Sequence, residues 1–342
     1  IDAPVFGSKL TIALAKYYVE SSKLVKGFND YHEVTENTEI DFASATIKFF
    51  KTTHTIPDSL AIVIKTSEGN IVYTGDFKFD QSASVEYQTN FGRITDVGED
   101  YVLALLSDSS DAESPVENVS DRKIAEAMLE TFLNAQGRIV VACVASNILR
   151  IQQVINAAYE SGRKIFLTGS ELEEIVNIAL SLNKLTVPDK ELIISFNQMK
   201  KLPDNELVIL ETVNAGEPIK ALQKMALGRH RQVNLHEGDL VYIATTPSVA
   251  METQIARTKD LIYRADAEVF EMANSKKASG HATPNDLKLM INLLQPTFFI
   301  PVQGEYRSLL AHAELANELG IPYKNIFIPR KGDVVEIENG QM

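Results

Sequence analysis

The chain has 342 residues, 45% of them hydrophobic, and a formal net charge of −13 at pH 7. This length fits two domains, or one large domain with an insert, and the apolar content suffices for a sizeable core. The acidic balance disfavours a protein that attracts phosphate backbones non-specifically, so nucleic-acid binding would require a local groove. The single cysteine, Cys143, excludes an intrachain disulfide and a cysteine-rich zinc site.

The sequence contains no apolar run long enough to cross a bilayer, so we expect no membrane partner. Residues 1–4 lack the features of a signal peptide and are typical of a cut, which predicts further residues upstream. A lone cysteine suits a reducing compartment, and we therefore expect a cytoplasmic protein.

Two kinds of segment follow one another along the chain. Residues 40–110 are rich in hairpins, whereas residues 121–265 alternate buried strands with helices, which predicts a parallel sheet covered by helices. Strand, helix and strand resume in 267–342, so the pattern predicts an α/β unit inserted into an outer domain. The predicted strands are 60–64, 70–73, 101–106, 138–144, 164–167, 207–210, 240–244, 268–272 and 297–301. The predicted helices are 121–135, 148–161, 171–182, 218–226, 284–294 and 308–319.

Two candidate metal ligands flank the first predicted hairpin. His54 precedes the hairpin, and Asp76 follows its second strand. An imidazole and a carboxylate at strand ends are typical ligands of zinc or manganese. For each residue alone, a structural loop histidine or turn aspartate is the commoner explanation.

Polar residues also follow two strands of the α/β pattern. Asp108 lies in an acidic, hydroxyl-rich segment after strand 101–106, where it either orients a catalytic group or belongs to a helix-capping turn. Ser146 and Asn147 lie between a strand and a helix that carries Arg150 one turn in. Plain helix capping and phosphate binding at the helix N-terminus are both open.

The run Ser279-Gly280-His281 precedes a helix that opens with Thr283-Pro284. Serine, glycine and a helix N-terminus favour an anion site, beside which His281 can act as a general acid or base. Gln303 occupies a ligand-like position after a strand, but an amide is a poor zinc ligand. The remaining histidines lack metal-ligand spacing and are predicted to be surface residues; they are His32, His230, His236 and His312.

The motifs and their order resemble the ribonuclease J family of metallo-β-lactamase/β-CASP ribonucleases across nearly the whole chain. The residues that carry the resemblance are "IPDS" at 56–59, "TGDFKFD" at 74–80, "LLSDS" at 105–109, "ASNI" with "R" and "QQ" in 145–153, "SGH" at 279–281 and "GEYR" at 304–307.

The resemblance implies a metallo-β-lactamase αββα sandwich that is interrupted by a β-CASP α/β insert with a parallel sheet. The implied domains are 1–116 and 266–342 for the metallo-β-lactamase part and 117–265 for the β-CASP part. The insert would close over the outer domain and form a channel for single-stranded RNA, lined by residues such as Lys276, Lys277 and Arg150.

The resemblance also implies roles for the candidate residues. His54 and Asp76 fall on metal-ligand positions of a two-metal zinc or manganese site, with Asp76 bridging. Asp108 and His281 fall on catalytic positions, and His281 would assist the leaving group. The positions that would hold a substrate phosphate are Ser279, Gly280, His281, Ser146 and, beside it, Asn147.

The sequence departs from the family pattern near the metal. The HxHxDH motif, which supplies most ligands, would lie upstream of Ile1, and Gln303 replaces the usual ligand histidine. Residues 213–217 and 247–252 also differ from the family's loops. These departures resemble the less active second paralogue found in Firmicutes.

The resemblance therefore predicts a metal-dependent ribonuclease that acts in RNA degradation and maturation with weak intrinsic activity. Its substrate would be single-stranded RNA with a 5′-monophosphate. Its partners would be further copies of itself and an active paralogue. The alternatives are a fully active two-metal ribonuclease and a non-catalytic RNA-binding assembly subunit. A small-molecule lactamase or glyoxalase has no use for the insert.

Overall fold

The computed structural model describes residues 3–22, 25, 27–115, 118–211, 218–244, 252–270 and 279–342, and within helices it leaves out the side chains of residues 170 and 218. The chain forms two compact units, one made of 1–118 with 279–342 and the other of 119–278. The units divide at 118 and 278, whereas the sequence predicts boundaries at 116 and 265.

The first unit contains eight strands and four helices among its described residues. Its strands are β1 Val5–Gly7, β2 Tyr31–Glu33, β3 Ile40–Phe42, β4 Ala45–Lys51, β5 Leu60–Thr66, β6 Gly69–Tyr73, β7 Val102–Asp108 and β14 Phe298–Val302. Its helices are α1 Lys9–Ser21, α2 Phe91–Glu99, α9 Pro284–Leu294 and α10 Tyr306–Glu318.

The second unit alternates strands and helices, as predicted. Its strands are β8 Ile139–Ala142, β9 Lys164–Thr168, β10 Ile193–Ile194, β11 Leu207–Glu211, β12 Leu240–Ile243 and β13 Glu268–Phe270. Its helices are α3 Asp121–Asn134, α4 Ile148–Glu160, α5 Ser170–Ser181, α6 Phe196–Met199, α7 Pro218–Ala226 and α8 Glu252–Tyr263.

A six-stranded sheet of order β14-β7-β6-β5-β4-β3 organises the first unit. Strands β3 to β6 pair antiparallel, and β6, β7 and β14 pair parallel, with Val302 opposite Asp108. Because parallel strands end at the same edge of a sheet, the segments after β6, β7 and β14 start side by side. Those segments carry Asp76, Ser109 and Gln303, and Asp108 is the last residue of β7.

The core of the first unit packs the sheet against α2, α9 and α10. Phe50, Phe77 and Phe299 are fully buried in it, together with aliphatic residues of the central strands and helices such as Leu105 and Leu287. Burial of each such side chain stabilises the fold by roughly 1.5–3 kcal/mol. The sheet whose strand ends carry the candidate residues is therefore anchored in a buried core.

The sheet of the second unit is parallel throughout, in the order β10-β9-β11-β8-β12-β13. Its core contains Val140, Ile209 and Val241 from the central strands, packed against Leu222 and Met225 of α7. The predicted parallel α/β unit is confirmed.

Every strand and helix predicted from the sequence has an observed counterpart, but nine of the labelled elements were not predicted: β1, β2, β3, β4, β10, α1, α2, α6 and α8. The prediction that His312 lies on the surface is wrong, because His312 is fully buried on α10. His32 and His236 are exposed, and His230 is partly buried. Among the described residues no helix combines the length and the apolar character needed to cross a membrane.

Candidate metal and catalytic site

Four predicted site residues converge in the first unit. Asp76, Asp108 and His281 each offer a ligand atom, and these atoms lie within 4.8 Å of one another. His54 adjoins them, with its Nε2 atom 3.7 Å from Oδ2 of Asp76. Residues as far apart in the sequence as His54 and His281 thus meet at the sheet edge where β6 and β7 end.

The turn after β7 holds Asp108 in one orientation. The backbone N–H and the hydroxyl of Ser110 both donate to Asp108 Oδ1, at 3.0 and 2.7 Å. The backbone N–H of Asp108 donates to Oγ1 of Thr74 at 3.1 Å, and that of Ser109 donates to the carbonyl of Val302 at 2.9 Å. Asp108 Oδ2 is left to face His281.

Asp108 and His281 form the shortest pair in the site. Nδ1 of His281 lies 2.7 Å from Oδ2 of Asp108, which is nearly fully buried. Burial acts to lower the pKa of His281, but the bond to Asp108 and the charges of Asp108, Asp76 and Asp111 outweigh it, so the pKa is raised. Burial likewise acts to raise the pKa of Asp108, and the bonds from His281 and Ser110 lower it overall. The pair favours a protonated imidazole beside a carboxylate.

His54 is held by the segment that carries His281. Its Nδ1 atom lies 2.8 Å from the carbonyl oxygen of Gly280, which can only accept, so Nδ1 carries the proton and donates. Burial is the main cause that lowers the pKa of His54, which keeps the ring neutral. The unprotonated Nε2 therefore faces a carboxylate oxygen of Asp76.

This arrangement fits a bound divalent cation. The Nε2 lone pair of His54 and Oδ2 of Asp76 are two acceptors that face each other without a shared proton. The other oxygen of Asp76, Oδ1, is buried and has no hydrogen-bond partner among the described residues. Imidazole and carboxylate ligands suit zinc or manganese, and a cation would satisfy both atoms. The expected ligands His54 and Asp76 are thus joined by Asp108 and His281 as neighbours.

Gly280 allows the close approach of the two histidine-bearing segments. A Cβ atom at position 280 would lie 2.6 Å from Cγ2 of Thr55 and 2.9 Å from Cε1 of His54. The rings of His54 and His281 have centroids 5.5 Å apart. The side chain of Asn118 donates to the carbonyl of His281 at 2.7 Å and fixes the backbone there.

Ser279 lies in the turn that precedes His281. Its Oγ atom accepts a hydrogen bond from the backbone N–H of His281 at 3.1 Å, which leaves its hydroxyl hydrogen available. Helix α9 follows at once, with Thr283 and Asp286 forming a capping box. The predicted anion-binding residues Ser279, Gly280 and His281 therefore share one turn in front of a helix.

Gln303 begins the turn after β14 and is exposed. Its Nε2 atom donates to the hydroxyl of Tyr73 at 3.1 Å, and its backbone is left-handed, with φ of 61°. Gly304 follows with φ of 89°, and a Cβ there would lie 3.2 Å from Cα of Ser110. At this position, where the sequence predicts that glutamine replaces a ligand histidine, the side-chain amide of Gln303 is hydrogen-bonded to Tyr73.

Ser146 and Asn147 belong to the second unit. The side chain of Asn147 caps α4 by accepting from the backbone N–H of Arg150 at 2.9 Å, and Ser146 is exposed before that cap. Phosphate binding by these two residues stays a prediction. Lys276, Lys277 and the loop positions 213–217 and 247–251 lie outside the described residues.

Sequence reasoning missed the supporting residues of the site. Thr74, Ser110 and Asn118 each bond a candidate residue or its backbone, but isolated hydroxyl and amide residues in loops carry no distinctive signal. His312 lies 2.9 Å from Ser109 Oγ beneath the site. His312 lies four positions from Ser308 and from Ala316, so the three share one helical face, and this spacing was the signal that His312 is buried.

Two family models match the chain. Residues 136–262 match the description "Ribonuclease J, beta-CASP domain", and residues 271–329 match "Zn-dependent metallo-hydrolase RNA specificity domain". The first match falls within the second unit, and most of the second covers the segment with His281 and Gln303.

Curated relatives are similar to this chain over nearly its full length. The chain is 51% identical over 339 residues to "Ribonuclease J 2" of Streptococcus pyogenes serotype M3, covering 99% of this chain and 61% of that protein. It is 43% identical over 344 residues to "Ribonuclease J 2" of Staphylococcus aureus NCTC 8325, covering 100% of this chain and 61% of that protein. The chain thus spans about three fifths of the length of these relatives.

A solved structure has the same fold at low sequence identity. It is the "Crystal Structure of a Protein of Unknown Function from Enterococcus faecalis V583", with a TM-score of 0.68 and 17% identity. The match covers 97% of this chain and 75% of that one. This similarity supports the arrangement of elements and carries nothing on activity.

Proposed function

The chain belongs to the ribonuclease J family, and from this premise we propose that it hydrolyses the phosphodiester bonds of RNA at a metal-dependent site in its first unit. The observation that supports the proposal most strongly is the convergence of Asp76, Asp108 and His281 within 4.8 Å, with His54 beside them. These residues combine ligands for a cation with an acid–base pair.

The metal would be held by Asp76 and His54, with Asp108 and His281 at its border. When bound, a zinc or manganese ion would supply an activated water and stabilise the negative charge that develops on the phosphate. We propose zinc or manganese because the ligands are imidazole nitrogens and carboxylate oxygens. A two-metal site requires more ligands than these four residues provide.

His281 would act as the general acid. Its Nδ1 atom is bonded to Asp108, so only Nε2 can face a substrate. The raised pKa of His281 favours the protonated ring, and a protonated ring can give the proton of Nε2–H to the leaving oxygen. Asp108 holds the ring in place and stabilises its charge.

Ser279 and Gly280 would hold a phosphate group of the RNA. The free hydroxyl hydrogen of Ser279 and the N-terminal end of α9 favour a negative group near this turn. Within the β-CASP unit, Ser146, with Asn147 at the start of α4, would also hold a phosphate group of the RNA. We propose single-stranded RNA with a 5′-monophosphate as the substrate.

Gln303 favours a weak intrinsic activity. An amide oxygen is a poor ligand for zinc, and the amide nitrogen of Gln303 is already used in a bond to Tyr73. The site would hold its metal less tightly than a site with an imidazole at this position. We propose that the protein works in RNA degradation and maturation in the cytoplasm, as a homo-oligomer and beside an active paralogue.

A cleavage assay tests the proposal. Full-length protein is incubated with 5′-monophosphorylated single-stranded RNA and manganese or zinc, and single-turnover rates are compared for the wild type, His281→Ala and His32→Ala. His32 is an exposed histidine paired with Asp30, which makes it a matched control. We expect a slow wild-type rate that His32→Ala retains and His281→Ala lowers by about 100-fold.

The other outcomes assign a different function. Rapid turnover by the wild-type protein alone, lost in His281→Ala, would indicate a fully active ribonuclease. Binding of RNA without cleavage in any metal, with normal activity of a complex that contains His281→Ala, would indicate an assembly subunit and refute catalysis by this chain.

A further inference from the structure

We infer that His312 is a positioning residue of the site: from α10 it holds Ser109, and through Ser109 it fixes the turn that presents Asp108 to His281. This role rests on the proposed function, because it concerns the residue that orients the general acid. His312 belongs to none of the motifs that the sequence singled out, and it touches neither His281 nor a substrate position.

A short hydrogen-bonded chain connects α10 to the turn after β7. Nδ1 of His312 lies 2.9 Å from Oγ of Ser109, and that hydroxyl lies 3.2 Å from the carbonyl oxygen of Ser107. A carbonyl oxygen can only accept, so the hydroxyl of Ser109 donates to it and accepts from Nδ1–H of His312. The direction of the chain fixes the tautomer of the histidine.

The surroundings of His312 support this assignment. The ring is fully buried, and Phe299 packs against it with ring centroids 4.7 Å apart. Within the part of the chain that the structure describes, its Nε2 atom has no hydrogen-bond partner. Burial lowers the pKa of His312 to about 3, so the ring is neutral. A bare Nε2 lone pair in this apolar pocket costs less than a buried N–H without an acceptor.

Ser109 is the point at which outside elements anchor the turn. Its backbone N–H donates to the carbonyl of Val302 in β14, and its hydroxyl oxygen accepts a hydrogen bond from Nδ1–H of His312 in α10. The neighbours on either side are Asp108, whose Oδ2 faces His281, and Ser110, which donates twice to Asp108 Oδ1. A shift of Ser109 therefore moves both the carboxylate and the group that orients it.

The experiment compares four variants in the full-length protein. His312→Leu removes the donor, and Ser109→Ala removes its acceptor. His312→Asn keeps an N–H near the position of Nδ1. Ala316→Gly, at a fully buried position one turn along α10, weakens the same helix without touching Ser109.

Single-turnover RNA cleavage and RNA binding give the first readout. We expect His312→Leu and Ser109→Ala each to lower the cleavage rate by about 10-fold or more, with RNA affinity unchanged, because a misplaced acid–base pair slows chemistry rather than binding. His312→Asn recovers most of the rate. Ala316→Gly lowers thermal stability but keeps the rate.

Nitrogen and proton NMR of metal-free protein give a readout that needs no nuclease activity. We expect Nδ1 of His312 to be protonated and Nε2 not, and a downfield Nδ1–H resonance of His281 from its bond to Asp108. The resonance of His281 persists in His312→Asn and Ala316→Gly and shifts upfield in His312→Leu.

The inference is overturned if His312 carries its proton on Nε2, or if His312→Leu leaves the resonance of His281 unchanged. It is also overturned if His312→Leu cleaves RNA at the wild-type rate, or if Ala316→Gly and His312→Leu lose rate in proportion to stability. If the wild type cleaves no RNA, the proposed function fails, and the NMR comparison still decides the role of His312.

Discussion

Gly280 offers a direct test of how closely the site is assembled. A Cβ atom at this position would lie 2.6 Å from Cγ2 of Thr55 and 2.9 Å from Cε1 of His54. Ordinary carbon–carbon contacts are about 3.5–4 Å, so Gly280→Ala forces the two segments apart by roughly 1 Å. Misplacement of this size lowers the cleavage rate by about 100-fold. The same shift stretches the bond from His54 to the carbonyl of residue 280.

The assay is single-turnover cleavage of 5′-monophosphorylated RNA, with metal affinity measured by calorimetry on the same samples. Gly92→Ala is the control, because a Cβ at position 92 in α2 meets only the side-chain oxygen of Asn90, at 3.5 Å. The control keeps the wild-type rate. A folded Gly280→Ala variant with wild-type rate and metal affinity would refute the close packing of the His54 and His281 segments.

Three further changes have calculable directions. Asp108→Asn removes the charge that raises the pKa of His281, so single-turnover cleavage falls by about 100-fold while exposed Asp333→Asn keeps its rate. Gln303→His adds an imidazole, so zinc or manganese binds about 10-fold more tightly in calorimetry, whereas Gln303→Asn binds as the wild type does. Burial raises the pKa of Glu211 from 4.5 to about 7, so between these pH values the carboxyl takes up a proton on folding, and stability falls as pH rises through them. The pKa difference, 7 − 4.5, corresponds to about 3 kcal/mol of unfolding free energy. In urea denaturation we expect Glu211→Gln to raise the free energy of unfolding by up to that amount at pH 8 and not at all at pH 4. An equal gain at both pH values would contradict the assignment.

The regular elements were predictable where their periodicity was distinct. The turn of the first predicted hairpin falls at residues 67–68, between β5 and β6, and the helix predicted at 284–294 is observed with those bounds, because a threonine cap and a proline mark its start. Helix α1 was missed since its buried residues, Leu10, Ile12 and Leu14, alternate as in a strand. Strand β4 was missed because Lys48 interrupts its apolar run and Lys51 ends it.

The site was predictable residue by residue but not as a geometry. His54, Asp76, Asp108 and His281 stand at strand ends or in loops, which marks them as candidates. Asp108 and His281 are 173 positions apart with an entire α/β unit between them, and the parallel pairing of β7 with β14 brings the flanking segments together. Local patterns carry no information on such a long-range pairing, so the resemblance to a family supplied it.

The central claim is that Asp76, with its neighbours, forms a metal-dependent nuclease site. The most direct measurement is the single-turnover cleavage rate of 5′-monophosphorylated RNA by full-length wild-type protein and Asp76→Asn, in the same manganese-containing buffer. The account predicts a slow but measurable wild-type rate that chelation of the metal abolishes, and no cleavage by Asp76→Asn. Equal cleavage by the two proteins, or a wild-type rate that survives chelation, would contradict it.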